Sequence, residues 1–305
     1  MLKGSSVLVT GGSGFIGSLL VNRLLREGCK QVSVFDKYIR SGRFQSDDKL
    51  RIVQGGITDF ETLQRIMSGV DYVFHLAVLP LGACIENPRA CLETNVNGTF
   101  NVLEASKEAQ VKKIAFSSAS SVYGDTEQTM DESHPLNAKT MYGASKLSGE
   151  YFFRAFYDMY NLDYVILRYM NVYGPGQEGG LIANVLKRIK QGLPPVIFGD
   201  GSQSFDFVYV DDVISANLLA MESDVTNETF NIGGDEEVTV KEVVLALLEL
   251  TGSDLKPEFK PDEMVPMQRR VGSSQKARKL LGYRPMIRFK DGLKKVVDFD
   301  FLIDN

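Results

Sequence analysis

The sequence predicts an α/β fold, a parallel sheet doubly wound with helices on both faces, followed by a smaller α/β lobe. Three observations predict it. Strand-like apolar runs alternate with stretches of helical spacing through the first half of the 305 residues. The first run, Ser6-Val7-Leu8-Val9-Thr10, opens into the glycine-rich turn TGGSGFIG, Thr10 to Gly17, and then into Leu19 to Arg26, whose leucines recur on one helical face. The second run, Val32-Ser33-Val34-Phe35, ends on an acid, Asp36, nineteen residues after Gly17.

Each element follows in order. In the turn, Gly11 permits the tight reversal, Gly14 lets backbone approach a pyrophosphate, and Gly17 lets the helix pack closely on the strand. The amides opening that helix favour an anion, and Asp36 stands where a carboxylate would hold the ribose hydroxyls of a dinucleotide. The expected fold is therefore Rossmann-type. Arg51 to Gln54 reads as a third strand, Phe60 to Met67 as a helix, and Asp71 to Leu76 as a fourth strand. Asn87 to Gln110 carries continuous helical periodicity with Asn95 inside it. Val111 to Ser118 is strand, Tyr142 to Tyr160 helix, and Val165 to Tyr169 strand. Strand and helix repeated this way imply a parallel sheet, and ligands of such sheets bind at the carboxyl ends of the strands.

After Asn171 the texture changes. Gly174-Pro175-Gly176 breaks the alternation, and Gly192 to Gly201 is rich in glycine and proline. Phe207 to Val210 reads as a strand, with Asp211 or Asp212 as the cap of a following helix. Further helices are expected at Val240 to Leu250, Ser274 to Leu281 and Lys290 to Phe301. Residues 1–174 with roughly 205–230 are expected to form the nucleotide-binding domain, and 175–204 with 231–305 the substrate lobe.

Composition narrows the class. Hydrophobic residues make up 44% of the chain, the net charge is −5, and no lysine or arginine block appears, which argues against a nucleic-acid footprint. No apolar run is long enough to span a bilayer, so a cytoplasmic protein without a membrane partner is expected. The three cysteines, Cys29, Cys84 and Cys91, lack metal spacing and read as free thiols, and two histidines give no metal site.

Tyr142 and Lys146, in YGASK, stand four apart, so a helix puts them on one face. An unperturbed phenol is a poor base at neutral pH, but an ammonium one turn away and an oxidised nicotinamide both favour the phenolate. A tyrosine so placed can take a proton from a sugar hydroxyl while hydride leaves the same carbon. The pair follows a dinucleotide fingerprint and a serine-rich strand end, FSSASSVYG, and the three together point to oxidation of a carbinol.

With these residues in view, the chain resembles the extended short-chain dehydrogenase/reductases, in their nucleotide-sugar epimerase/dehydratase branch. The resemblance runs through TGGSGFIG, His75-Leu76-Ala77, NVNGT at Asn95 to Thr99, FSSASSVYG, YGASK, RYMNVYGP at Arg168 to Pro175, FGDGSQ, FVYVDDV and RRVGSSQKARKLLGY. Within the branch it is most similar to the UDP-sugar 4-epimerases. The resemblance implies NAD as cofactor, a UDP-sugar as substrate and a homodimer built on the helices at Asn87 to Gln110 and Tyr142 to Tyr160.

It also implies residue roles. Tyr142 would be the base, with Lys146 holding its charge and the nicotinamide ribose. Gly11, Gly14, Phe15, Ile16, Gly17, Asp36, Lys37 and Ile57 would bind the adenosine and pyrophosphate end. Leu76, Ala77, Asn95 and Ser117 would line the nicotinamide side, with Tyr169 at the carboxamide. Asn171 would reach the substrate phosphates, Leu181, Val196 and Phe198 would wall the uracil, and Arg269 or Arg270 would meet the diphosphate. Asp36 would select NAD over NADP by charge. His75 is expected to fix a strand end rather than react.

Three departures stand out. The serine or threonine four residues before the tyrosine of SVYG is Ala119 here, which makes Ser118 the expected helper, with Ser120 and Ser121 as alternatives. The arginine common before Asp-Phe in the GDGSQ segment is Phe205. An acid that usually faces adenine is Gly56. A dehydratase needs an acid/base pair directly after the strand end, and a decarboxylase usually a glutamate at Ser121; neither is present. The expected reaction is inversion at C4 through a transient 4-keto sugar. The alternatives are a dehydratase, decarboxylase or reductase of the same branch, or an NAD-sensing binding protein.

Overall fold

The structure is a computed structural model that describes residues 2–261 and 268–302. Seven parallel strands form the main sheet: β1 (Ser6–Thr10), β2 (Gln31–Asp36), β3 (Leu50–Gln54), β4 (Tyr72–His75), β5 (Lys113–Ala119), β6 (Tyr164–Tyr169) and, after three short strands elsewhere, β10 (Glu228–Ile232). Their order is β10-β6-β5-β4-β1-β2-β3. The chain steps outward from β1 to β3, then returns to the other side of β1 with β4. The crevice above the carboxyl ends of β1 and β4 is therefore the topological switch point, where such sheets take their ligands.

Strand parity divides the core into two layers. Val7, Val9, Val32, Val34, Phe74, Ala115, Val165 and Leu167 face α1 (Phe15–Arg26) and α8 (Val210–Glu222). Leu8, Phe35, Val73, Ile114, Phe116 and Ile166 face the layer of α2 (Phe60–Met67), α5 (Gly98–Glu108) and α6 (Met141–Tyr160).

The expected single helix from Asn87 to Gln110 is three pieces. Pro88–Cys91 (α4) follows a six-residue helix Leu81–Glu86 (α3), then Leu92–Asn97 winds as a π-helix before α5 begins. The wider turn carries Asn95, and Thr99 one turn on bonds back to the Asn95 carbonyl at 2.6 Å. Such turns are rare and frequently fall at functional sites. Neither Asp211 nor Asp212 caps α8: Tyr209 occupies that position. Asp212 instead accepts from the amides of Met286 and Ile287, tying α8 to the chain leading into α11 (Phe289–Leu302).

The cysteines correct a third expectation. Cys84 and Cys91 are joined as a disulfide, which pins α3 to α4; Cys29 remains a buried thiol whose burial pushes it up to about 11. The spacing of seven carried no framework signal, because the proximity comes from the reversal at Asn87.

The remaining strands form two smaller sheets. β9 (Ser204–Tyr209) pairs with β7 (Asn171–Tyr173), β11 (Glu237–Thr239) and β13 (Arg269–Arg270), and β8 (Val196–Phe198) pairs with β12 (Glu258–Lys260). Helices α7 (Leu181–Lys190), α9 (Val240–Leu250) and α10 (Gln275–Leu281) lie along the same stretch of chain. No helix among the described residues is long and apolar enough to cross a membrane.

Candidate active site

The glycine turn has the geometry its sequence requires. Gly11 has φ +68°, and a Cβ there would lie 2.6 Å from the Ala77 nitrogen. The turn thus presses onto the end of β4, with Leu76 and Ala77 partly open beside it. A Cβ on Gly17 would fall 2.2 Å from the Gly11 carbonyl oxygen, so α1 starts as close to the turn as backbone permits. Gly14 caps α1 without a side-chain bond, which leaves the first amides of the helix, at Phe15 and Ile16, to an outside acceptor.

Asp36 accepts from the Ser13 amide at 2.9 Å and the Tyr38 amide at 3.0 Å, so the carboxylate is held at the rim of the turn. Lys37 is exposed and lies over the Tyr38 ring. Ile57, expected at the adenine, turns into the core: it is 4% exposed and fills the space where Gly98 has no side chain. A turn with uncapped amides and an acid at its rim suits the pyrophosphate and ribose of a dinucleotide.

At the end of β4 the side chains are locked. His75 is fully buried, with Thr10 Oγ1 on Nδ1 at 2.7 Å and Thr99 Oγ1 on Nε2 at 3.0 Å. Burial first, and then the charge of Lys146, pull its pKa down to about 3, so it is a neutral structural ring. Asn95 does not open toward a ligand. Its amide accepts from the Leu79 nitrogen and donates to the Leu79 carbonyl and to Ser145 Oγ, fixing the segment that leaves β4.

Tyr142 and Lys146 lie in the first turns of α6, which Thr140 caps by accepting from the Gly143 amide. Lys146 is 4% exposed; its Nζ donates to the Ser117 carbonyl at 2.7 Å and lies over the rings of Phe116 and Tyr142. Burial pulls its pKa down to about 7, opposed by Glu150. Burial pushes the Tyr142 phenol up to about 12, opposed by the Arg270 guanidinium. Both groups are thus driven toward their neutral forms. Added positive charge is what shifts the phenol toward phenolate.

Strand parity decides among the serines. Ser118 faces α6 but is 2% exposed and donates to Glu150 Oε1 at 2.6 Å. Glu150 is held by Arg168 through Nε at 2.9 Å and Nη2 at 2.6 Å, and Arg168 Nη1 reaches the Tyr123 hydroxyl. Ser118 therefore belongs to a buried network under the strand end, a correction to its expected role as helper. Ser121 differs: its Oγ is buried without a hydrogen-bond partner, and its carbonyl packs on Gly143 beside Tyr142. Ser120 is buried in the same short 3₁₀ turn. The Glu150–Arg168 pair went unread in the sequence, although Glu150 sits one turn beyond Lys146 on the same helical face.

Ser117 and Tyr169 point to the opposite face. Their hydroxyls meet each other at 2.9 Å, and Tyr169 also meets Asn217 on α8. The Tyr169 hydroxyl is thus committed to the layer of α8, on the other side of the sheet from α6. Beyond β6, Asn171 is partly open, Leu181 opens α7, and Val196 and Phe198 share one side of β8, with Phe198 48% exposed. Arg269 is spent: it bonds Glu237 twice at 2.8 Å, the Glu127 carbonyl and Thr129. Arg270, its neighbour on the opposite side of β13, is 7% exposed with Nε unpartnered. Asp59 caps α2, so it is not free to replace the acid absent at Gly56.

Comparison with known proteins agrees with this geometry. The family model described as "NAD dependent epimerase/dehydratase family" matches residues 7–233. A protein of Methanocaldococcus jannaschii named putative UDP-glucose 4-epimerase is 35% identical over 304 residues, covering 96% of this chain and 97% of that protein. The solved UDP-glucose 4-epimerase of Thermotoga maritima, with UDP-glucose, superposes with a TM-score of 0.93 at 35% identity, over 98% of this chain and 100% of that one. A dTDP-glucose 4,6-dehydratase of Streptomyces venezuelae, solved with NAD, also reaches 0.93 at 31% identity, over 97% of both chains. A glycine turn, a rim acid and a half-buried tyrosine above a buried lysine on one open parallel sheet, matched over nearly the whole chain, make this protein a member of the NAD-dependent epimerase/dehydratase family.

Proposed function

We propose that this protein inverts C4 of a UDP-sugar through a transient 4-keto sugar. The observation that carries the proposal is the Tyr142–Lys146 pair at the strand end with no free carboxylate beside it. Glu150 is tied to Arg168 and Ser118, while Asp125 and Glu127 are exposed in the following loop. Elimination of water from neighbouring carbons needs an acid and a base that this site does not hold ready, whereas inversion needs one base and a proton relay.

In this reading the α1 amides, Asp36 and the end of β4 hold the cofactor, and Lys146 meets the nicotinamide ribose. NAD would supply the hydride acceptor and donor for C4, and the positive charge that favours the Tyr142 phenolate. Tyr142 takes the 4-hydroxyl proton and later returns it to O4, and hydride returned to the other face of C4 would give the inverted sugar. Ser121 orients that hydroxyl, the role Ser118 is too deeply committed to fill. Leu181, Val196 and Phe198 wall the uracil, Asn171 reaches toward the phosphates, and Arg270 meets an anionic group of the substrate.

The test is turnover of UDP-sugars by the NAD-loaded protein, read by product chromatography. Wild type should release a product of unchanged mass. Tyr142→Phe should lose about 10²–10⁴-fold or more in turnover with NAD still bound. A product lighter by water, or near-normal inversion by Tyr142→Phe, would contradict the proposal.

A further inference from the structure

Four cationic side chains are buried among the described residues, and three are satisfied. Lys113 donates to the carbonyls of Ala220, Ser223 and Val225; Lys146 to that of Ser117; Arg168 to Glu150 and Tyr123. Arg270 is the exception. Its Nε is wholly covered and unbonded, on a residue 7% exposed. A buried guanidinium without a partner is strongly unfavourable, so an acceptor from outside the chain is the natural complement.

Its position narrows what that acceptor is. Strand β13 is zipped to the loop after β5: the Met130 amide donates to the Val271 carbonyl, the Ser273 amide to the Met130 carbonyl, and Arg269 to the Glu127 carbonyl. That loop begins at Ser121, whose carbonyl lies against Gly143 in the first turn of α6. Arg270 and the second orphan, Ser121 Oγ, therefore lie on two elements that are zipped together beside the first turn of α6. The Arg270 guanidinium bears on the Tyr142 phenol electrostatically, and Asp125 supplies it a counter-charge without a hydrogen bond. The Asp125 carboxylate accepts from the Gln268 backbone instead.

An orphan guanidinium nitrogen beside the base fits a carboxylate, whose oxygens accept several hydrogen bonds and pair with guanidinium in a fork. We propose that Arg270 seats a carboxylate carried on C6 of the sugar, so that the preferred substrates are UDP-hexuronates. The proposal rests on the reading of Tyr142 as the group that works on the 4-hydroxyl. In a hexose C6 hangs from the carbon next to C4, whereas the diphosphate hangs from C1 across the ring. A cation that bears on Tyr142 therefore meets the C6 substituent before the phosphates. Because inversion presents both faces of the ring, the carboxylate meets Arg270 in one of the two orientations.

The experiment compares UDP-glucuronate, UDP-glucose and UDP on the NAD-loaded protein and on Arg270→Met. Wild type should favour UDP-glucuronate in kcat/KM, and Arg270→Met should lower the UDP-glucuronate-to-UDP-glucose ratio by about 10²–10³-fold, the range for truncating a buried charge pair. Arg270→Met should fold at least as stably as wild type without ligand, since it removes a buried guanidinium whose Nε has no hydrogen-bond partner. Equal losses for both sugars and for UDP would assign the guanidinium to the diphosphate and overturn the proposal, as would a wild-type preference for UDP-glucose. Binding on Tyr142→Phe separates this from the reaction itself. There UDP-glucuronate should bind at least tenfold more tightly than UDP-glucose, and adding Arg270→Met should erase the difference. No difference overturns the proposal whatever the turnover.

Discussion

Replacing Glu150 by Gln tests the network beneath the site. Glu150 and Arg168 are both 1% exposed and joined by two charge-assisted bonds, with Ser118 Oγ as a third partner. The substitution keeps the shape and an acceptor oxygen but leaves the guanidinium buried without a counter-charge, its other bond going to the neutral Tyr123 hydroxyl. Breaking such a pair costs about 3–5 kcal/mol, which is roughly a hundredfold to several thousandfold in the folding equilibrium at about 1.4 kcal/mol per decade. At about 2 °C per kcal/mol for a chain of this size, the melting temperature should fall by roughly 6–10 °C. The assay is thermal melting by circular dichroism at fixed scan rate and pH, for wild type, Glu150→Gln, Arg168→Met and the double variant. The double variant should be less destabilised than the sum of the singles, because no charge remains unpaired. A Glu150→Gln protein that melts within about 1 °C of wild type, the size of a change of about 0.5 kcal/mol, would refute the reasoning.

Three further outcomes are expected. Ser121→Ala should lower turnover by about tenfold to a hundredfold, within the range of a proton-relay contribution, while Ser118→Ala should lower the melting temperature more than the rate; steady-state kinetics beside melts separate the two. Asp206, fully buried, has its carboxyl pushed up to about 7 by burial, against bonds from the Gly234 and Gly272 amides. The folded state thus holds this proton more tightly than the unfolded chain, so its contribution to stability is full below about pH 4 and is lost as pH rises through 7; Asp206→Asn should flatten that fall in a melting-temperature series. Phe100, Tyr151 and Met159 are exposed on the outer faces of α5 and α6, so light scattering at micromolar concentration should give a dimer, and Phe100→Glu with Tyr151→Glu a monomer.

The sequence resolved the nucleotide half well because its elements are long and periodic. The run from Ser6 to Arg26, with its glycines, admits one backbone path, and Tyr142 to Tyr160 matches α6 to within one residue. What stayed hidden had no local signal. Leu92–Asn97 keeps helical spacing while winding as a π-helix, since the extra residue per turn leaves no trace in composition. Strand β10 is five residues after a short connection, and β7, β8, β11, β12 and β13 have two or three each, too few for alternation to register. At the site, the types were legible and the directions were not. Ser117 and Ser118 are adjacent, yet one meets Tyr169 and Asn217 and the other Glu150, because the sheet turns them to opposite layers. Arg269 and Arg270 divide the same way across β13, one spent on Glu237 and one left open.

The proposed chemistry is tested most directly by isotope at C4. The NAD-loaded protein is given UDP-glucuronate and UDP-glucose deuterated at C4, and the released sugar nucleotides are analysed by mass and chromatography. The account predicts the C4 epimer at unchanged mass, deuterium retained, with Tyr142→Phe forming almost none. Deuterium exchanged into solvent, or a product lighter by water or carbon dioxide, would contradict it.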